Sequence, residues 1–235
     1  MRPWYRIVRG TCSGLLRVLL PREVTGLKHV PPEGGVIIAS NHGAFWDPPV
    51  LGVLLPRELR YMARASLFEV PLFGPLIRSL GAFAVRKGTA DMTGLRAAES
   101  ALAQGDALLL FPEGGRMKDG RLHPPLPGLG LIAARARVPI VPVYVSGTNR
   151  IRSCMVRRTK VRVTVGAVLP PETWFPEDGQ PSTLAGRALY QAISDRVMQE
   201  IAHLRREQEE STRSGVAPAT STSPKASSHE RGGST

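Results

Sequence analysis

Val36-Ile37-Ile38-Ala39-Ser40-Asn41-His42-Gly43-Ala44-Phe45-Trp46-Asp47-Pro48-Pro49 passes from an unbroken apolar run through a short polar turn into a proline pair. The run has the length and composition of a strand covered on both faces. Gly43 permits backbone angles that other residues avoid. Asp47 before Pro48 reads as a helix N-cap followed by proline at the first helical position. A strand, a tight turn and a new helix are therefore expected in succession. Five residues advance a helix by about 500°, and an odd step in a strand points side chains to opposite faces, so His42 and Asp47 can meet only across the turn. There a carboxylate can orient an imidazole, which makes the pair the candidate catalytic centre.

Outward from this segment, further apolar runs lie at Ala82-Val85, Ala107-Phe111 and Ile140-Val145. They alternate with stretches of helical character at 48–55, 71–80, 91–104 and 129–137, the strand-helix rhythm of an α/β sheet. The continuous runs predict a mostly parallel central sheet flanked by helices. Lys160-Val165 reads as a further, edge-like strand with basic residues at alternate positions. Leu189, Ile193, Val197, Ile201 and Leu204 recur at helical spacing and predict a long amphipathic helix over 184–204. The Pro/Gly-rich joints at 31–35, 124–130 and 170–179 read as loops, and no internal repeat is present.

With 235 residues and 42% hydrophobic content, the chain can build one core. The expected organisation is an N-terminal segment over 1–22, a single domain over 23–210 and a disordered tail over 211–235 rich in Ser, Thr, Ala, Pro and Gly. Cys12 and Cys154 are too few for a disulfide framework or a zinc site of paired spacing, and the five histidines show no ligand spacing either, so no metal is expected. The net charge of +12 falls almost wholly on the part before the tail, which calls for an anionic partner. Trp4, Ile7, Val8, Leu15, Leu16 and Leu19 recur at roughly helical spacing among Arg2, Arg6, Arg9, Arg17 and Arg22. Such a segment suits an interfacial helix on an anionic membrane surface, a reading that Gly10 and Gly14 weaken, or an ordinary helix packed on the domain with its arginines solvated. It is too short and interrupted for a spanning helix.

Two other constellations sit at predicted strand ends. Phe111-Pro112-Glu113-Gly114-Gly115-Arg116 follows one strand, and Gly81-Ala82-Phe83-Ala84-Val85-Arg86-Lys87-Gly88 closes another. Strand C-terminal ends are where α/β folds gather ligand contacts, and the arginine fork suits phosphate oxygens. Singly, each has a bland reading: a structural histidine, an ordinary turn, a solvated basic strand end.

In order and at these separations, however, the blocks resemble those of the glycerolipid acyltransferase family typified by 1-acyl-sn-glycerol-3-phosphate acyltransferases, over about 24–168. Asn41 to Asp47 looks like its NHxxxxD block, Gly81 to Arg86 like its second, Phe111 to Arg116 like its FPEGTR block, and Val138-Pro139-Ile140-Val141-Pro142-Val143 like its fourth. The resemblance implies acyl transfer from acyl-CoA or acyl carrier protein, as co-substrate, to a lysophospholipid hydroxyl, with no further cofactor. His42 would be the base and Asp47 its orienting partner, with no acyl-enzyme. Arg86, Glu113, Gly114 and Arg116 would line the acceptor site, with the arginines on its phosphate. The expected location is the cytoplasmic face of a membrane, peripherally.

Gly115 departs from the threonine of the third block, and Leu126-Pro127 stands where many relatives carry basic residues. The second departure leaves open another lysophospholipid or lipid-like alcohol as acceptor. Two non-enzyme alternatives are a nucleic-acid-binding protein and a catalytically silent membrane adaptor. The first is opposed by 6% aromatic content and the lack of a recognised motif, the second by the presence of both His42 and Asp47.

Overall fold

The continuous apolar runs become the middle of a seven-stranded sheet in the computed structural model, which describes residues 3–86, 91–156, 158–174 and 184–214. Arg2, Lys87, Gly88, the far part of the 170–179 joint and the tail beyond Ser214 lie outside the described residues, as do the side chains of Arg9, Leu15, Leu16, Arg17 and Leu19. In chain order the elements are α1 (Pro3–Leu19), β1 (Arg22–Thr25), β2 (Val36–Ser40), α2 (Asp47–Leu54), β3 (Leu59–Arg64), α3 (Phe73–Ser79) and β4 (Ala82–Val85). There follow α4 (Met92–Ala103), β5 (Ala107–Leu110), α5 (Gly128–Ala136), β6 (Ile140–Ser146), α6 (Ile151–Met155), β7 (Val161–Val165) and α7 (Gly186–Ser214).

The strand order is β1-β7-β6-β2-β5-β3-β4, and every pairing is parallel except β6 with β7. β2 is central, with Ile38 opposite Leu109 on one side and Val141 on the other. Alternation divides its buried residues between two layers. Ile37 and Ala39 pack with Leu108, with Leu95 and Ala98 of α4, Ile132 of α5, and Val197 and Ile201 of α7. Val36 and Ile38 pack on the opposite face with Val50 and Leu51 of α2 and with Val161, Val163 and Val165 of β7.

Several expectations change. β1 and β3 were not foreseen. Both are only partly buried and carry charged residues, so neither shows the unbroken apolar run of a central strand. β7 is not an edge strand, because β1 lies outside it; its valines are buried while Arg162 and Thr164 between them are half-buried. α7 continues ten residues beyond Leu204, so 211–214 belong to a helix rather than to the tail. α1 runs unbroken through Gly10 and Gly14. It is also docked: Tyr5 is buried, its hydroxyl donates to the Gly52 carbonyl at 3.4 Å and accepts from Leu59 N–H at 3.3 Å. Trp4 and Ile7 nonetheless stay exposed.

Candidate active site

β2 delivers its last residues to the carboxyl edge of the sheet beside β5 and β6, where a strand passes between two differently connected neighbours. Asn41 fixes the exit. Its side-chain amide donates to the Val145 carbonyl at 3.0 Å and its oxygen accepts from Val145 N–H at 2.8 Å, pairing with β6 as another backbone unit would. Ser40, also buried, donates to the Asn41 carbonyl and so supports the backbone rather than the imidazole.

The turn that follows brings His42 and Asp47 together, with Nδ1 2.9 Å from Oδ2. Asp47 is the first residue of α2 rather than its N-cap, with Trp46 in the cap position. Its carboxylate is turned back into the loop, where Oδ2 also accepts from Ala44 N–H at 2.7 Å and Oδ1 accepts from Thr148 Oγ1 at 2.5 Å. The group is fully buried, and three donors plus the positive end of α2 compensate its charge. A carboxylate can only accept, so Nδ1 carries the proton and the Nε2 lone pair is left available. Phe111 stacks on the imidazole, with centroids 4.1 Å apart and planes 19° from parallel, fixing the ring from the β5 side.

Glu113 is buried, and both its oxygens are occupied by backbone: Oε2 accepts from His42 N–H at 2.9 Å and Oε1 from His123 N–H at 3.2 Å. Burial pushes its carboxyl up, opposed by the bonds from His42 and His123. Met117 N–H donates to the His42 carbonyl at 2.7 Å, so the loop after β5 grips the His42 backbone from both sides. Gly114 has φ +67°, a left-handed conformation that glycine adopts without cost, and an added β-carbon would lie 2.3 Å from Leu126 Cδ1.

A small open cleft adjoins the imidazole. It is lined by Asn41, His42 and Gly43, by Glu113, by 120–122, and by 144–149. Burial raises the Tyr144 phenol, which therefore lines this wall as a neutral group. The two arginines expected on the acceptor are not part of the lining. Arg116 is exposed in the β5–α5 loop, and Arg86 directly follows β4, three strands from β2, or roughly 14 Å at the usual strand spacing. Arg86 is also tied locally, its N–H donating to Asp91 at 2.7 Å; that bond, ahead of those from Gly94 and Thr93, holds Asp91 below the usual carboxylate range.

Thr148 and Arg121 were missed in the sequence. Arg121 lines the cleft, is exposed, and among the described residues its guanidinium has no hydrogen-bonding or ion-pair partner. Its place in a Lys/Asp/Gly-rich turn, after a block already singled out, was the available signal. Thr148 gave none, lying 101 residues from Asp47. Among the described residues no group of three His, Cys, Asp or Glu side chains is arranged to hold a metal ion.

The family model described as Acyltransferase matches residues 21–146, more than half of the chain. Among curated proteins, the 1-acyl-sn-glycerol-3-phosphate acyltransferase of Bacillus subtilis is 26% identical over 163 residues, 67% of this chain and 80% of that one. The chloroplastic 1-acyl-sn-glycerol-3-phosphate acyltransferase BAT2 of Brassica napus is 29% identical over 132 residues, 55% of this chain but 38% of that one. The human 1-acyl-sn-glycerol-3-phosphate acyltransferase alpha is 30% identical over 162 residues, 66% of this chain and 57% of that one. The matches thus span most of the bacterial relative but little more than half, or less, of the other two. The crystal structure of the 1-acyl-sn-glycerophosphate (LPA) acyltransferase PlsC of Thermotoga maritima shares the fold, with a TM-score of 0.64 at 21% identity over 87% of this chain and 84% of that one.

Proposed function

This chain belongs to the Acyltransferase family, and we propose that it transfers a fatty acyl group from acyl-CoA or acyl carrier protein to the free hydroxyl of 1-acyl-glycerol-3-phosphate, giving phosphatidic acid. The observation that carries the reading is His42 held at 2.9 Å by a fully buried Asp47, with the imidazole at the rim of an open cleft. His42 Nε2 takes the proton as the acceptor oxygen attacks the thioester carbonyl. The tetrahedral intermediate collapses, the C–S bond breaks, and the imidazolium returns the proton to the departing thiolate. Asp47 holds the tautomer and balances the imidazolium charge while it exists. Base and activated thioester suffice, so neither a resident metal nor a further cofactor is needed.

In this reading Arg121, which lines the cleft, would meet the acceptor phosphate, with Arg116 and Arg86 as outer cations of the same edge. Glu113 and Gly114 contribute by shaping the turn. The lipid acceptor and the net charge of +12 favour peripheral work at the anionic, cytoplasmic face of a membrane, and no helix among the described residues is long and apolar enough to cross one. The exposed Leu126 in place of a basic residue favours a second acceptor reading, another lysophospholipid or lipid-like alcohol.

The test is thiol release from oleoyl-CoA by the purified chain with lysophosphatidic acid in mixed micelles, beside His42→Ala. Release that depends on acceptor and falls about 10²- to 10⁴-fold in the variant is expected. An equally active variant refutes the mechanism, and a panel of other lysophospholipids separates the two acceptors.

A further inference from the structure

An apolar platform runs alongside the turn that carries His42. Within the turn, Phe45 and Trp46 are 52% and 48% exposed and meet edge to face at 6.0 Å. Phe45 also lies 6.3 Å from Phe73, the first residue of α3. α3 carries the surface onward through the exposed Leu76 to Ser79, whose hydroxyl accepts from Trp4 Nε1 of α1 at 3.2 Å. Seven helical residues extend about 10 Å, so contacts at the two ends of α3 link the His42 turn, through Phe45 and Phe73, to Trp4 of α1.

Leu72 projects from this platform. It is 88% exposed, with φ 64° and ψ −42°, and Phe73 N–H closes a three-residue turn onto the Pro71 carbonyl at 2.7 Å. This is the strained, positive-φ form of the γ-turn, which a leucine adopts only under constraint. A strained backbone that holds a large apolar side chain out in water is doubly unfavourable for a free protein. A non-aqueous phase that receives the side chain removes the cost of its exposure and compensates the strained backbone that presents it.

The charges identify that phase. On α1 and the segment 64–80, Arg6, Arg64 and Arg78 are exposed, with Glu69 as the exposed acidic residue among the described side chains of these segments. Arg78 lies over the Phe68 ring, 5.6 Å from its centroid. Apolar residues set among arginines suit a surface with anionic headgroups over an apolar interior.

We propose that this platform, with Leu72 as its wedge, docks the protein on an anionic bilayer and sets the His42 turn against the lipid surface, where an acceptor reaches the cleft with its acyl chain still in the membrane. The last clause rests on the acyl-transfer reading; the docking itself does not. The anchor is thus the connection between β3 and α3 together with the catalytic turn, and not the N-terminal helix alone.

The test compares the full chain with Leu72→Gly in sedimentation with phosphatidylcholine vesicles, with and without phosphatidylglycerol. Glycine removes the wedge and relieves the positive φ, so the variant keeps or raises its melting temperature. Its partitioning onto anionic vesicles is expected to fall roughly tenfold or more, the loss of one buried leucine. His42-dependent thiol release should persist with a short-chain, monomeric acceptor and fall with a vesicle-embedded one. Unchanged vesicle binding by Leu72→Gly overturns the proposal. So does a dimer in sedimentation velocity that dissociates in Leu72→Gly, which assigns the patch to a second copy. Loss of His42-dependent release with the monomeric acceptor in both proteins overturns the acyl-transfer reading instead, while vesicle binding still decides the docking.

Discussion

Thr148 Oγ1 donates to Asp47 Oδ1 at 2.5 Å, from the opposite side of the carboxylate to His42. The pair proposed to be catalytic is therefore part of a chain of three side chains, the third supplied from the exit of β6. Thr148→Val keeps the volume and removes the donor, leaving a buried oxygen one partner short, at a cost of about 1–3 kcal/mol. Because the loss falls on the group that balances the imidazolium, kcat is expected to drop about tenfold or more with KM for the thioester little changed. Thr148→Ser should retain most of kcat. Steady-state kinetics of the two variants check this, and a Val variant with native kcat refutes this role for Thr148.

His42 and Asp47 were legible because both lie in one short segment whose strand-turn-helix course follows from its own residues, from the Val36–Ala39 run to Pro48. Thr148 was not, because its approach depends on β6 lying beside β2, a relation fixed by the packing of α5 and α7 rather than by any local pattern. The same distinction separates the strands. β2, β5 and β6 are buried on both faces and read as apolar runs, whereas β3 carries Arg60, whose partner Asp106 precedes a different strand. Arg86 and Arg121 illustrate the remaining gap: a basic residue at a strand end can be recognised in sequence, but which strand adjoins the cleft cannot.

Arg121→Ala should raise KM for a phosphate-bearing acceptor by about tenfold or more, the weight of a charge-assisted hydrogen bond of roughly 1.5–3 kcal/mol. KM for the thioester should stay near native. Arg86→Ala, altering a residue outside the cleft lining, should have the smaller effect on acceptor KM. The comparison is made with a monomeric acceptor, so that membrane binding does not enter; a larger effect from Arg86 would reverse the assignment.

Glu113 makes a prediction about pH. Burial raises its carboxyl in the folded protein despite the N–H groups of His42 and His123, so the folded state holds the proton more tightly than the unfolded chain does. Stability linked to this group is therefore fully present at low pH and declines as pH rises from the ordinary carboxylate range through the raised folded value. Glu113→Gln cannot titrate and should lack that decline. The melting temperature of the wild type relative to the variant should fall from acidic to neutral pH, as read by thermal denaturation. A difference that grows with pH would mean that the two N–H bonds outweigh burial. At neutral pH the variant should also lose activity, because an amide accepts at only one of the two positions and turns its own N–H toward the other.

Two glycines, one in the α5–α7 contact and one in the turn that carries Glu113, should respond differently to the same substitution. At Gly130 in α5, an added β-carbon would stand 1.9 Å from the Tyr190 carbonyl oxygen of α7, and Gly130 N–H already donates to the buried Ser194 hydroxyl at 3.0 Å. Backbone cannot yield to backbone there without separating two packed helices, so Gly130→Ala is expected to cost more than about 3 kcal/mol, beyond the usual range for overpacking. At Gly114 the clash is with the end of the Leu126 side chain, which can rotate away, and the left-handed φ adds about 1–2 kcal/mol for a non-glycine residue. Gly114→Ala should therefore fold with a modestly lowered melting temperature, and its loss of activity should exceed its loss of stability, because the turn it distorts carries Glu113 and thereby the His42 backbone. Chemical denaturation and kcat measured on both variants check the contrast. A well-folded Gly130→Ala, or a Gly114→Ala as unstable as Gly130→Ala, would show that the helix contact or the turn is looser than this packing requires.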